Sequence, residues 1–351
     1  MRLTLATGSR PTRSRQVFDA VTPVAGDVVM GIAILSVDLH AVGQPAAAAV
    51  LLWFATATWL FLACVFALRV LDERGRFVRE ARSPAALTGV AGSSVLGTAF
   101  AAQGYYPVAA ALLALAGVSW VLLLSSVLSH RRSPVTGASF LPTVATQGLA
   151  VLSATLAARN GTAWLLVAAI AVWVLGLGFY TVTVTRFDPH QLLTGHGDHW
   201  VAGGALAISA LACAKIVQAG AVLGWLTATR GLSADVALAF WCLAMLWLGP
   251  LIATEVVRPR LSYDLRRWAT VFPLGMYAVL GFAVSQVTGI GGLGTFARWW
   301  TWLAVAVGLV VLAGFVRHSW QVVRATAPAS APLRPRSATP SAPVHSKDID
   351  P

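Results

Sequence analysis

A helix needs about 20 mostly apolar residues to cross the hydrocarbon core of a bilayer. This sequence supplies ten such runs, centred near Gly31, Trp59, Ser94, Gly117, Gly148, Trp173, Ala210, Met245, Ala278 and Val307. Ten runs at that spacing predict an all-α integral membrane protein of ten transmembrane helices, since only helices and closed barrels satisfy their backbone groups in lipid. Composition points the same way. Of the 351 residues 57% are hydrophobic and only 11% are Asp, Glu, Lys or Arg, against about 25% charged in an average soluble domain. The mean hydropathy of +0.74 excludes a soluble enzyme, a disordered chain and a secreted disulfide scaffold. Cys64, Cys213 and Cys242 each sit inside an apolar run without paired spacing, and read as small buried hydrophobes.

The formal net charge of +12 would suggest nucleic acid in a soluble protein. Sorted by loop, it has another origin. The N-terminus and the segments after spans 2, 4, 6, 8 and 10 hold 21 Lys and Arg, whereas the opposite loops hold only Arg159, Arg230 and Arg298. Positive charge is retained on the cytoplasmic side, so both termini are expected in the cytoplasm of a multi-pass plasma-membrane protein. No nucleic-acid partner is needed to explain the charge. The expected organisation is a cytoplasmic segment 1–20, a ten-helix domain 21–322 and a tail 323–351. That tail is rich in Pro, Ala and Ser and should be disordered. The first run is too long and too poor in small residues at a cleavage position to be a signal peptide.

The spans differ in kind. Eleven of the fourteen Trp lie in or at the ends of the even-numbered runs, among them Trp53, Trp59, Trp173, Trp241 and Trp247. From 86 to 103, in the third run, twelve of eighteen residues are Gly, Ala, Ser or Thr. Small residues allow close helix approach, and bulky aromatics suit lipid and its boundary. The expected architecture is therefore five helical hairpins, with odd helices inside and even helices outside. An inner group of five small-residue helices would surround a common axis, a candidate pore. Ser94 and Gln147, near the centres of spans 3 and 5, are candidates to line it.

Ionisable residues inside apolar spans are costly and mark candidate functional positions. Asp27 stands near the start of span 1, where a helix N-terminus tolerates a carboxylate. Asp38 is fifteen residues past Pro23 and Lys215 sixteen past His199, so both count to about 22–24 Å from the cytoplasmic end at 1.5 Å per residue. Either they neutralise each other across the lumen, or both snorkel to the outer interface. Pro273 in span 9 should free a backbone carbonyl and kink the helix. Spacing alone favours an ordinary packed Phe272 beside it. The cluster His196, Asp198, His199 falls short of a zinc ligand set, and Asp198 reads more simply as a helix cap; no metal or other cofactor is expected. The Gly289–Gly294 run has neither a strand before it nor a Lys after it and reads as a flexible loop.

Several segments together resemble the tellurite-resistance/dicarboxylate transporter family, which includes a bacterial tellurite-resistance channel homologue, fungal malate and sulfite transporters and plant guard-cell slow anion channels. They are 29–36 (VMGIAILS), 89–97 (GVAGSSVLG), 141–147 (LPTVATQ), 197–200 (GDHW) running into 204–208 (GALAI), and 268–275 (WATVFPLG). All lie on odd-numbered runs. The resemblance implies a ring of five helical hairpins, commonly trimeric, with a pore through each protomer. It also implies that a Phe on the ninth helix occludes that pore, which the W-A-x-x-F-P match assigns to Phe272 beside Pro273. Arg267 departs from the pattern, standing where members often have a second Trp.

Three functions follow in order of preference: a channel passing small anions, occluded by Phe272; a proton-coupled carrier of sulfite or C4-dicarboxylates with Asp38 titrating; and, far behind, a membrane-embedded metal-dependent protein using His196, Asp198 and His199. No soluble-type enzyme activity is expected, and the partners are small anions, the lipid bilayer and two further copies of the chain.

Overall fold

The structure is a computed structural model that describes residues 21–130, 135–194, 199–225, 230–259 and 263–325. The segments read as N-terminal arm and most of the tail therefore lie outside the described residues. Among the described residues ten long helices are apolar enough to span a membrane. They are α1 (Gly26–Ala41), α2 (Pro45–Asp72), α3 (Thr88–Ala102), α4 (Tyr106–Ser129), α5 (Leu141–Asn160), α6 (Ala163–Val184), α7 (His199–Val222), α8 (Arg230–Val257), α9 (Trp268–Thr288) and α10 (Gly291–Ala325). Two short helices, Arg74–Ala81 and Gln191–Thr194, lie in the connections.

The turns repeat five times. Each odd helix passes to the following even one through a turn with a single glycine at positive φ: Gly43 (81°), Gly104 (89°), Gly161 (64°), Gly224 (74°) and Gly289 (74°). Among the described residues no other residue has positive φ. This left-handed conformation is open to glycine without a Cβ penalty and reverses the chain sharply after a helix. The opposite connections, even to odd, are longer and carry the arginines. Four of the inner helices, α1, α3, α5 and α9, are entered through a short 3₁₀ turn. All odd helices thus start at one end of the bundle, here termed the basic end.

The Gly289–Gly294 run departs from the flexible loop expected of it. Only Gly289 and Ile290 form the turn, and Gly291 already begins α10. Gly294 lies in the first helical turn, where an added Cβ would come 3.1 Å from Ser285 Oγ. Close packing of α10 on α9 explains that glycine.

Packing follows the small/bulky division. Over their most apolar stretches the odd helices are 72–94% buried and the even ones 17–28%, so that Cys213 of α7 is buried as expected while Cys64 of α2 and Cys242 of α8 are exposed. α1 packs on α3, α3 on α5, α5 on α7, α7 on α9 and α9 on α1, and each even helix packs on the odd helix before it. The cycle of inner neighbours closes on itself. Indole N–H groups of the outer helices key one hairpin to the next: Trp59 Nε1 donates to Ser93 Oγ (2.9 Å), Trp120 Nε1 to Thr146 Oγ1 (2.9 Å) and Trp173 Nε1 to the Ser209 carbonyl (2.9 Å). A buried indole N–H needs such a partner.

Candidate gate and inner polar residues

Phe272 lies one turn into α9 and is buried, with 4% of its surface exposed. Four inner helices meet around it. Met30 and Asp27 come from α1, and Leu141 and Val144 from α5. Val201 of α7 and Ala269 of α9 complete the wall. The space left among them is about 10 Å³, on the scale of one water molecule. The side chains that close it are almost all apolar, so a hydrated ion would have to shed water there without replacement ligands.

Two features fix the Phe272 backbone. Pro273 lies against α7 at Gly204, where an added Cβ would be 2.8 Å from the proline Cγ. About one turn back on the same helix, Trp268 lies against Gly31 of α1, at 2.8 Å from the position of a Cβ. α9 remains helical from Trp268 to Thr288 across Pro273. Having no N–H, Pro273 leaves the Ala269 carbonyl without its usual partner four residues on. The helix accommodates the proline without ending. Arg267, the departure from the family pattern, turns outward: its Nη1 bonds Glu255 Oε1 of α8 at 3.0 Å.

Asp38 and Lys215 do not meet. Both Asp38 oxygens are buried without a hydrogen-bond partner, and the carboxylate lies against Gly275 of α9, 2.9 Å from where a Cβ would stand. Lys215 Nζ donates to Gln218 Oε1 at 3.0 Å, and Gln218 Nε2 reaches Gln286 Oε1 (3.1 Å) and the Ala283 carbonyl (3.2 Å) on α9. The reason lies in the offset of the helices. Gly204 of α7 is level with Pro273, so Lys215 is eleven residues deeper, whereas Asp38 is level with Gly275, only two residues past Pro273. At 1.5 Å per residue the two differ in depth by roughly 13 Å. Equal counts from the helix starts concealed this, because α1 and α7 do not start at one level.

Ser94 sits where three inner helices converge, close to Gly148 of α5, with Ile208 of α7 beside them; its hydroxyl donates to the Val90 carbonyl (3.0 Å). Gln147 turns the other way. Its Nε2 donates to the Trp173 carbonyl of α6 (3.1 Å), and its amide fills the notch at Gly176. Gln147 therefore belongs to the α5–α6 contact. Of the metal-reading cluster, His196 and Asp198 lie outside the described residues. His199 Nε2 is 3.3 Å from Thr254 Oγ1. Among the described residues no three His, Cys, Asp or Glu stand together as a ligand set. Met30, Leu141, Val144 and Val201 were not anticipated, since apolar residues on wholly buried helices carry no distinguishing pattern.

Residues 20–316 match the voltage-dependent anion channel family model, covering nine of the ten helices and most of the tenth. The chain belongs to that family. It is the same family as the tellurite-resistance/dicarboxylate transporters, a group of channels and transporters rather than enzymes. Over 125 residues the chain is also 32% identical to uncharacterized membrane proteins of Mycobacterium tuberculosis strains CDC 1551 and H37Rv. The match spans 34% of this chain and 63% of each relative's length. It is a multi-pass membrane protein of an anion-transporting family.

Proposed function

We propose that the chain is a plasma-membrane channel passing small anions along the axis of the inner ring, held shut by Phe272. The observation that carries this reading is the apolar closure around Phe272, which leaves a space of about 10 Å³, set where the starts of four inner helices converge in a family of anion channels. Hydrophobic constrictions gate by excluding water. Helix N-termini carry partial positive charge, so the basic end favours anions approaching the constriction. No ring of fixed charge is needed, which implies modest selectivity among small anions. Both termini are cytoplasmic in this reading, the basic loops facing inward, and the protomers form a trimer with a pore each. The test is current through wild type and Phe272→Ala under voltage clamp in a planar bilayer. Anion current should rise on removing the ring; unchanged current sinks the gate assignment. A native mass three times 36.8 kDa would support the trimer, and a monomeric mass would refute it.

One observation favours a second reading, a proton-coupled carrier for sulfite or dicarboxylates. The Asp38 carboxyl is fully buried with neither oxygen bonded, a costly arrangement for a purely structural residue. In that reading, proteoliposome flux follows an imposed pH gradient and Asp38→Asn uncouples it. Flux indifferent to pH in the wild type would eliminate it. Metal-dependent chemistry at His196, Asp198 and His199 stays a remote third reading, abandoned if purified protein carries no stoichiometric metal.

A further inference from the structure

Away from the inner ring, a crevice of about 900 Å³ opens at the basic end between the ends of α4 and α6. Its floor is the start of α5, entered through the Gly137–Phe140 turn, and one flank is the end of the short helix Arg74–Ala81 with the segment after it. Arg79 and Arg82 reach it from that flank, Arg186 from the end of α6 and His130 from the end of α4. All four are exposed. Their neighbours Arg69 and Arg76 are committed: Arg69 Nη1 is 3.0 Å from Glu80 Oε2, and Arg76 bonds Glu80 Oε1 at 3.0 Å and Glu73 at 3.4 Å. Among the described residues, Arg79, Arg82 and Arg186 have no carboxylate within 4.0 Å. Three unmatched guanidinium groups thus face one polar crevice, with the N-terminal end of α5 adding partial positive charge.

Guanidinium forks suit the oxygens of a phosphate better than a monatomic ion, since each offers paired N–H donors. The crevice walls also include Val127 and Val182, and Val182 continues the exposed apolar face of α6 that carries Val174 and Leu175. A basic pocket between helix ends that merges into a lipid-facing wall has the form of an anionic headgroup site. We infer that Arg79, Arg82 and Arg186 bind a phosphate-bearing anion in this crevice, the phosphate of an anionic phospholipid being the source that the apolar wall favours and soluble phosphate the other.

The experiment uses full-length protein in nanodiscs. In one arm the discs contain phosphatidylcholine with a fraction of phosphatidic acid, and native mass spectrometry counts retained phosphatidic acid. In the other arm the discs are pure phosphatidylcholine, and thermal unfolding is followed against inorganic phosphate and against chloride at matched ionic strength. An arginine near a membrane surface contributes about fivefold in affinity, so the variant R79Q/R82Q/R186Q should lose on the order of 100-fold. R298Q, at the opposite end, should lose none. Selective loss in the first arm assigns a lipid source, and selective loss in the second assigns soluble phosphate. The proposal is overturned if neither probe binds the wild type, or if R298Q weakens binding as much as the triple variant. Phe272→Ala leaves the crevice intact, so failure of the gate and failure of this site are separable.

Discussion

On the inner helices a methyl group added at Gly31, Gly97, Gly204 or Gly275 would fall within 3.0 Å of a side chain on a neighbouring helix, whereas at Gly117, Gly178 or Gly249 of the outer helices it would meet nothing within 4 Å. At these positions the same residue type serves close helix approach in one layer and is free of neighbours in the other. Other outer glycines mark the boundary between these regimes. Gly176 admits Gln147 and Gly308 admits Leu35, at 2.6 and 2.5 Å from a would-be Cβ. Inner side chains reach outward there. The inner ring is thus held by van der Waals fit, the principal force available between helices in lipid, while the exposed faces of the outer helices have no such fit to keep.

The contrast is tested most severely at its aromatic residues. Phe272 is the inner one, closed in by α1, α5 and α7. Phe61 of α2 is 47% exposed on the outer surface. Phe272→Ala should raise anion conductance on the order of 100-fold, equivalent to about 2.7 kcal/mol off the barrier. Phe61→Ala should leave it unchanged. Bilayer recordings of the two variants side by side decide the matter; equal effects would mean that the inner layer has no privileged role in conduction.

Next in size comes Gly275→Ala. The new methyl would stand 2.6 Å from Ile34 Cγ2 and 2.9 Å from Asp38 Oδ2, on a helix pair fixed on both sides. Overpacking of this kind costs about 1–3 kcal/mol, and thermal unfolding in detergent should show it. Gly117→Ala, on α4, should do the opposite. With open space around it, alanine is expected to stabilise the helix by several tenths of a kcal/mol, a fraction of the roughly 1 kcal/mol propensity difference. If both substitutions destabilise alike, the layers do not differ as described.

How much of this was legible beforehand follows from the same contrast. Hydropathy gave the ten spans, because span length is imposed by bilayer thickness, and the small/bulky division separated the layers. The direction of individual inner side chains was not legible. A helix buried on all sides has no amphipathic stripe, so nothing in the sequence told that Gln147 turns to α6 while Val144 and Leu141 turn to Phe272. Relative depth was lost for a related reason. Residue counting fixes Asp38 and Lys215 along their own helices, but only contacts such as Gly204 with Pro273 set one helix against another. The Phe272 assignment came from resemblance, since spacing alone favoured ordinary packing.

The smallest effect concerns the bonds that join the layers. Trp120 Nε1 donates to Thr146 Oγ1 across α4 and α5, and the same hydroxyl donates to the Pro142 carbonyl at 2.7 Å. Trp120→Phe removes the donor but leaves the Thr146 hydroxyl bonded, so no buried group is stranded. Interhelical hydrogen bonds in membrane proteins average about 0.6 kcal/mol, and a loss of that order is expected in the unfolding free energy. Trp173→Phe should cost a similar amount, because the Ser209 carbonyl that accepts from Trp173 lies in the middle of α7. A loss well above 1 kcal/mol in either variant would make these indoles principal determinants of hairpin assembly. A value near the average leaves that role to the inner glycine contacts.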